Sequence, residues 1–209
     1  MPDLNHNIDQ QSEKAIAILS GALEVFSSQG YAAASMDRIA RAANVSKPTL
    51  YKYFQDKEGL FFALMHHLTE KNRQMRLRML EGVAGQMPAD ELLRQIATFV
   101  LNDFSRDQAL MRLMRLIIGE SERFPELAKR FVREIEKPII DRFSIYLASQ
   151  TQLQLPDPEV ATRVFVGSIV HYLIIQHVLQ GSEILPLERD RMIDGLVHLI
   201  TAGDQKKST

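Results

Sequence analysis

Helical periodicity is the feature that most constrains this chain. Apolar residues recur three and four positions apart through nearly all of its 209 residues, and no segment alternates convincingly between apolar and polar side chains. The sequence therefore predicts an all-α protein. The expected helices span about residues 10–28, 35–43, 47–53, 57–82, 89–106, 108–120, 124–150, 158–180 and 188–202. Pro138 predicts a kink within the segment 124–150.

The second and third helices are short and are joined by a tight turn. Ser35 and Ser46 are suited to cap their N-termini, and Pro48 is tolerated in a first helical turn. Because only Asn44 and Val45 form the connection, the two helices must cross sharply. Gly30 is suited to end the helix that precedes them. The residues expected to face inward are Met36, Ile39, Ala40, Ala43, Val45, Leu50 and Phe54.

The outward face of the third helix suits a polyanion better than a protein core. It combines cations, hydroxyls and aromatic rings, which are groups that contact the phosphates and base edges of a DNA major groove. Its members are Lys47, Thr49, Tyr51, Lys52 and Tyr53. The whole chain has a net charge of −1, but residues 31–80 hold nine Lys or Arg against four Asp or Glu. This local excess permits DNA binding there.

The segment from Ser35 to Leu64, SMDRIARAANVSKPTLYKYFQDKEGLFFAL, resembles the DNA-binding domain of the TetR/AcrR family of bacterial repressors. The matching residues are Gly30-Tyr31, Ile39-Ala40, Ala43, Val45-Ser46, Leu50-Tyr51-Lys52-Tyr53-Phe54 and Lys57-Glu58-Gly59-Leu60. The run LIIGESERFPELAKRF, residues 116–131, resembles the AefR-like subgroup. The resemblance implies an N-terminal three-helix DNA-binding domain over residues 10–56. It implies a ligand-binding and dimerisation domain of about six helices over residues 57–203.

The resemblance also implies a function. We expect a transcriptional regulator, a repressor by family habit, that binds double-stranded DNA as a homodimer and is released by a small, largely apolar molecule. A two-fold dimer presents two recognition helices and should require an inverted-repeat operator. We assign phosphate contacts to Ser35, Tyr51, Lys52, Tyr53 and Lys57, and base-edge contacts to Lys47, Pro48 and Thr49. As alternatives, the two tyrosines are packing residues and the lysines form a solvated face.

The helix expected at 158–180 is apolar on both faces and so needs two packing partners. One face carries Ala161, Val164, Phe165, Ser168, Tyr172, Ile175 and Leu179. We assign the other face to the dimer interface, namely Gly167, Val170, His171, Ile174 and Val178. Candidate residues of an effector pocket are Phe61, Met65, Phe99, Phe104, Met111, Met114, Phe165, Ile169 and Tyr172. Large apolar and methionine side chains are by default core residues, although methionine also lines adaptable pockets.

Other classes of protein are less consistent with this sequence. The chain has no cysteine, which excludes thiol catalysis and disulfides, and it carries no recognisable catalytic or nucleotide-binding motif. We therefore expect no enzyme activity, cofactor or metal, although an enzyme with scattered residues and a protein-binding helical adaptor remain alternatives. His66 and Glu70 lie four residues apart on a helix but lack a third metal ligand at a recognisable spacing.

The terminal and most apolar segments indicate a cytoplasmic protein. The N-terminal residues are polar and acidic, unlike a signal peptide or an anchor. Residues 164–182 carry no formal charge and are long enough to cross a membrane, but they contain His171, Gln176, His177 and Gln180. A helix buried on every side explains this segment better than a membrane span does.

Overall fold

The computed structural model describes residues 4–69 and 87–202, and the side chains of all of these except 4–12, 103 and 104. Every described element is helical, as predicted. The helices are α1 (Leu4–Ala33), α2 (Met36–Ala42), α3 (Lys47–Tyr53), α4 (57–69), α5 (Ala89–Arg106), α6 (Gln108–Glu120), α7 (Pro125–Phe131), α8 (Lys137–Ser149), α9 (Pro158–Leu173) and α10 (Arg189–Thr201). The predicted part of α4 beyond residue 69 lies outside the described residues.

Two predicted helices contain a widened turn. Val132–Glu136 and Ile174–Val178 form π-helical turns, and the N–H of Lys137 donates to the carbonyl of Val132, five residues back. Pro138 is the second residue of α8 and lies two residues past the π-helical turn Val132–Glu136. A proline ring clashes with the carbonyl four residues before it, so the wider turn relieves that clash. The widened turn lies just before Pro138, where the sequence predicts a kink, and the kink itself stays a prediction.

Gly30 breaks the first helix where the sequence predicts. Its φ is 75° and its ψ is 164°, a conformation that glycine adopts without steric cost. The chain makes a further turn and reaches Ala33. Ile18, Ala22 and Phe26 are fully buried, as their spacing predicts, but Ile16 is exposed. Val25 is buried as well, so the buried face of α1 includes Val25 and leaves Ile16 out.

The described residues form two compact units. The first contains residues 4–69 and 112–129, and the second contains residues 87–111 and 130–202. In the first, α1 packs on α2 and α2 packs on α3, around fully buried side chains that include Phe26, Ile39, Leu50, Leu60 and Met65. In the second, α5, α8, α9 and α10 surround a core that includes Leu92, Leu93, Leu147, Phe165 and Val197. The domain boundary expected at residue 56 stays a prediction.

Candidate nucleic-acid interface

The turn between α2 and α3 is built by backbone hydrogen bonds. Asn44 adopts a left-handed conformation with φ 52°, and its N–H donates to the carbonyl of Arg41 at 3.1 Å. The N–H of Val45 donates to the carbonyl of Ala40 at 2.9 Å. This pair of bonds is a Schellman motif, in which asparagine tolerates the left-handed position. It satisfies the last carbonyls of α2 and turns the chain into α3 within a few residues.

Two serine caps fix where the short helices begin. The hydroxyl of Ser35 accepts from the N–H of Arg38 at 3.3 Å, and that of Ser46 accepts from the N–H of Thr49 at 3.2 Å. Both caps confirm the predicted helix starts. The hydroxyls of Ser46 and Thr49 also lie 2.7 Å apart and share a hydrogen bond. The Thr49 hydroxyl is therefore held in a defined orientation at the beginning of α3.

A glycine that the sequence reasoning missed brings α1 against this turn. Gly21 is buried in α1, and a Cβ atom placed there would lie 2.7 Å from the backbone nitrogen of Ala43. Only glycine permits that approach. Ala43, which was expected to face inward, is half-buried, and Ala42 is exposed. The close approach of α1 to the turn depends on the absence of a side chain at Gly21. The sequence around the turn does not indicate this approach, because Gly21 lies on α1.

The side chains of α3 divide into a buried anchor and an outward face. Leu50 is fully buried and ties the helix to the unit. Lys47, Pro48, Tyr51 and Lys52 are exposed. Two further predicted contacts, Thr49 and Tyr53, are half-buried at the edge of that face, and Ser35 is exposed at the start of α2. Seven of the eight predicted DNA-contacting residues therefore lie on α3 or at the cap of α2 and are exposed or half-buried.

Lys47 forms an ion pair that the sequence analysis did not anticipate. Its Nζ lies 2.8 Å from Oδ1 of Asp37 in the first turn of α2, and both side chains are more than half exposed. The hydrogen bond to Asp37, with the charge of that carboxylate, raises the pKa of Lys47. The lysine stays protonated near neutral pH, and two of its three N–H donors remain for another acceptor.

The eighth predicted contact, Lys57, points back into the protein. Its Nζ donates to the backbone carbonyls of Tyr31 at 2.8 Å, Ala34 at 3.1 Å and Ala32 at 3.3 Å. The ammonium also lies 4.5 Å from the ring centroid of Tyr31. Burial lowers the pKa of Lys57, and the negative charge of Glu120 opposes that shift. An ammonium has three donors, so this geometry uses all of them within the first unit.

The predicted dimer residues lie on the more open side of α9. Gly167 and His171 are exposed, whereas Val170, Ile174 and Val178 are half-buried. The helical wheel was wrong at two positions of the opposite face, because Val164 is 47% exposed and Leu179 is 66% exposed. Phe165, Ile169 and Tyr172 form the buried side of α9. An open groove of about 410 Å³ lies along the exposed side, lined by Arg163, Val164, Gly167, Ser168, His171 and Met192.

The candidate pocket residues are mostly core residues of the two units. Phe61 and Met65 are buried in the first unit, where Met114 is half-buried. Phe165, Ile169 and Tyr172 belong to the core of the second unit. Met111 is buried and Phe99 is half-buried in that unit, and the side chain of Phe104 lies outside the described ones. Their role in binding an effector stays a prediction.

The structure also bears on the metal and membrane alternatives. Within residues 4–69 and 87–202, no three His, Asp or Glu side chains are grouped to hold a metal ion. The predicted partner of His66, Glu70, lies outside that part of the chain. The helical segment Pro158–Val178 is long and apolar enough to cross a membrane by length and composition alone, with a mean hydropathy of 1.3.

A capped, exposed helix that follows a tight turn on a three-helix scaffold defines a helix-turn-helix protein. Residues 18–64 match the bacterial regulatory proteins of the tetR family. Residues 91–203, more than half of the chain, match the C-terminal domain of AefR-like transcriptional repressors. The chain belongs to the TetR family of bacterial transcriptional regulators, as the sequence resemblance implied.

Two curated relatives illustrate the range of similarity. The uncharacterised regulator YvkB of Bacillus subtilis is 22% identical over 89% of this chain and 94% of its own length. The transcriptional regulator AcrR of Shigella flexneri is 33% identical, but over 53% of this chain and about half of its own length, 51%.

Solved structures of regulators share the fold. A putative TetR-family regulator from Mesorhizobium loti superposes with a TM-score of 0.72 at 23% identity, covering 92% of this chain and 96% of the other. FadR of Bacillus subtilis, in complex with stearoyl-CoA, superposes with a TM-score of 0.70 at 22% identity, covering 90% of this chain and 98% of the other. AibR, in complex with isovaleryl coenzyme A and operator DNA, superposes with a TM-score of 0.63 at 21% identity, covering 90% of this chain and 98% of the other.

Proposed function

We propose that this regulator is a cytoplasmic repressor that binds an inverted-repeat operator as a homodimer and releases it when a small, largely apolar molecule binds. The outward face of α3 is the observation that carries the proposal. It presents Lys47, Tyr51 and Lys52 to solvent on a helix whose start is fixed by Ser46 and whose inner side is anchored by Leu50. A helix fixed in this way is preorganised for insertion into a major groove.

The hydrogen-bonding capacity of each group supports its assigned DNA contact. The cap uses a lone pair of Ser35, so its O–H remains available to donate to a phosphate. Tyr51 and Lys52 are exposed and Tyr53 is half-buried beside them, so all three are accessible for the proposed phosphate contacts. Lys47, Pro48 and Thr49 lie at the N-terminal end of α3, the part of a recognition helix that contacts base edges.

For Lys57 we propose a positioning role in place of the phosphate contact expected from the sequence. Its three donors hold the backbone carbonyls of residues 31, 32 and 34, directly before the cap of α2. A phosphate contact would require the ammonium to leave at least one of these carbonyls.

Matched substitutions test the DNA assignment. Lys52→Ala should weaken binding to every duplex alike. It should also reduce the salt slope, the slope of the logarithm of the binding constant against the logarithm of the salt concentration, by about one unit for each phosphate that the protein no longer neutralises. Thr49→Ala should instead change which base pairs are preferred in a randomised inverted-repeat library. Lys137→Ala is the charge-matched control, because Lys137 is an exposed residue of α8 paired with Asp141. Altered base preference with an unchanged salt slope in Lys52→Ala would reverse the two assignments.

The exposed side of α9 supports the homodimer. Of the most apolar 18 residues in the segment Pro158–Val178, only 22% are buried within the chain. Val164 and Gly167 are exposed on this side of α9, and Met192 of α10 lines the same groove. A second copy related by two-fold symmetry would cover this side with the same side of its own helices. Two of the dimer residues expected from the sequence, Gly167 and His171, line the open groove on this side.

An exposed-residue variant tests the dimer without disturbing the core. Val164→Glu should convert the dimer into a folded monomer in light scattering, because a carboxylate would lose water in the interface. Ile145→Glu is the control, since Ile145 is 71% exposed on α8. A Val164→Glu protein that stays dimeric would remove this face from the proposal, as would a dimer from both Val170→Glu and Ile174→Glu.

Effector control is supported by two neighbours that carry acyl-CoA ligands, in which an apolar acyl group is joined to a charged coenzyme A. FadR binds stearoyl-CoA and AibR binds isovaleryl coenzyme A. A ligand that favours the state with the wrong half-site spacing must weaken operator binding by its differential affinity for the two states. A panel of fatty acids and acyl-CoA thioesters should therefore include a member that raises the operator Kd. Indifference to such a panel would leave a constitutive DNA-binding protein.

A further inference from the structure

The first unit contains a segment that lies outside the matched DNA-binding domain. Residues 112–129, which comprise most of α6 and most of α7, pack with residues 4–69, whereas the match to the tetR family covers only residues 18–64. This segment includes most of the run 116–131 that the sequence singled out. Its side chains Leu116, Ile117, Glu120, Phe124, Leu127 and Ala128 meet Tyr31 and Phe61 around a cleft of only about 10 Å³.

Glu120, the last residue of α6, provides the polar contact in this packing. Its Oε1 accepts a hydrogen bond at 2.8 Å from the backbone N–H of Tyr31, the residue that follows the break in α1. A Cβ atom at Gly30 would lie 2.6 Å from the same oxygen. Gly30 therefore serves two purposes, since it adopts a positive φ and leaves room for the carboxylate. A charge-assisted bond of this kind is stronger than one between neutral groups.

The side chain of Tyr31 is enclosed by the same elements. It is 6% exposed, and its ring centroid lies 4.9 Å from that of Phe124 and 5.2 Å from that of Phe61. Burial, reinforced by the charges of Glu58 and Asp56, raises the pKa of Tyr31 to about 12. The segment that includes Glu120 and Phe124 thus fixes both the backbone and the ring of this residue.

The two charged groups act on opposite sides of one short stretch of backbone. Glu120 binds the N–H at residue 31, and Lys57 binds the carbonyls at residues 31, 32 and 34. Ser35, the cap of α2, follows immediately. Residues 31–34 therefore set the start of α2, and α2 sets α3 through the Schellman turn.

We propose that Glu120 is a positioning residue for DNA binding, which holds residues 31–34 so that α2 and α3 present the recognition face. This inference rests on the proposed function but assigns a role to a residue outside the helix-turn-helix. Removing the hydrogen bond to the Tyr31 N–H lowers the fraction of molecules in the binding-competent arrangement, and the apparent affinity for DNA falls by the same fraction.

Four variants separate the hydrogen bond from the charge. Glu120→Ala removes both, Glu120→Asp keeps the charge but shortens the reach to the Tyr31 N–H, and Glu120→Gln keeps the reach but removes the charge. Glu122→Ala is the control, because Glu122 is an exposed carboxylate two residues further on. The full-length proteins are titrated with a duplex that the unmodified protein selects from a randomised inverted-repeat library. Hydrogen exchange of the Tyr31 amide is measured in parallel without DNA.

The expected result is about tenfold weaker binding for Glu120→Ala and Glu120→Asp, which corresponds to a competent fraction of about one tenth. Glu120→Gln should stay within about threefold of the unmodified protein because its amide oxygen still accepts the bond. The Tyr31 amide should exchange faster in the first two variants only. If Glu120→Ala does not fold, the Asp and Gln variants carry the test.

Unchanged binding and exchange in Glu120→Asp and Glu120→Ala would overturn the inference. Equal losses in Glu120→Gln or Glu122→Ala would also overturn it, because they would indicate a general effect of charge. If the unmodified protein selects no duplex, the proposed function fails instead, and the exchange data still test the contact between Glu120 and Tyr31.

Discussion

Gly21→Ala is the substitution that most directly tests how α3 is held. The new methyl group would lie 2.7 Å from the backbone nitrogen of Ala43 and 3.0 Å from its Cα and Cβ atoms. No flexible side-chain end is available to move aside, so α1 or the turn must shift. Because Ala43 lies at the end of α2, directly before the turn into α3, the shift would reach the recognition helix.

The expected change in the free energy of unfolding of Gly21→Ala follows from two opposing effects. Replacing glycine by alanine inside a helix stabilises it by about 0.5–1 kcal/mol, and overpacking a well-packed site costs about 1–3 kcal/mol. Gly119 on α6 provides the matched control, since a Cβ atom there meets nothing within 4 Å. Gly119→Ala should therefore gain stability, and the difference between the two variants should equal the steric cost, about 1–3 kcal/mol.

Urea unfolding followed by far-ultraviolet circular dichroism measures both variants at one protein concentration, so that a dimer equilibrium affects them equally. Operator titration of the same samples then shows whether the shift reaches α3, and Gly21→Ala should bind more weakly than Gly119→Ala. A Gly21→Ala protein as stable as Gly119→Ala, with equal operator affinity, would refute the close approach of α1 to the turn.

Three further perturbations probe the same unit. Asp37→Asn should free the third N–H donor of Lys47 and remove a carboxylate beside the proposed base-edge contact, which should tighten operator binding, whereas unchanged operator affinity would show that the ion pair does not restrain Lys47. Ser46→Ala should cost about 0.5–2 kcal/mol of stability and Ser46→Asn much less, so equal losses would contradict the cap. The raised pKa of Tyr31 means that its contribution to stability is complete below pH 10 and is lost as the pH rises towards about 12. Tyr31→Phe should reduce that alkaline loss, and an identical pH profile would contradict the burial of its hydroxyl.

Features with local causes could be predicted from the sequence. The two serine caps and the break at Gly30 depend on a few neighbouring residues, and each lies where the sequence indicated. The fold class was predictable for the same reason, because helical periodicity is local. The outward face of α3 was predictable because α3 is short, and the residues that are not needed for its buried side must face outward.

Features set by distant contacts could not be predicted in this way. Lys57 is a residue type that often contacts phosphate, but its ammonium donates to backbone carbonyls that lie more than twenty residues earlier in the sequence. Glu120 is 89 residues from Tyr31 in the sequence. The wheel placed Val164 on the wrong face because ideal helical geometry contains no information about which neighbours cover a helix. The burial of such residues depends on which distant elements pack against them, and helical periodicity contains no information about those elements.

The charge arrangement of the first unit bears on how a DNA-binding protein of this kind achieves specificity. Lys57 is bound to backbone carbonyls, Lys47 is paired with Asp37, and Arg38 binds Gln29 and the carbonyl of Ala33. These cations stabilise the geometry of the site before DNA is present. Non-specific affinity grows with the number of phosphates that free cations neutralise, so engaging cations internally keeps that term small. Discrimination then depends on how well the fixed face of α3 fits the base edges, which is the contribution that differs between operator and bulk DNA.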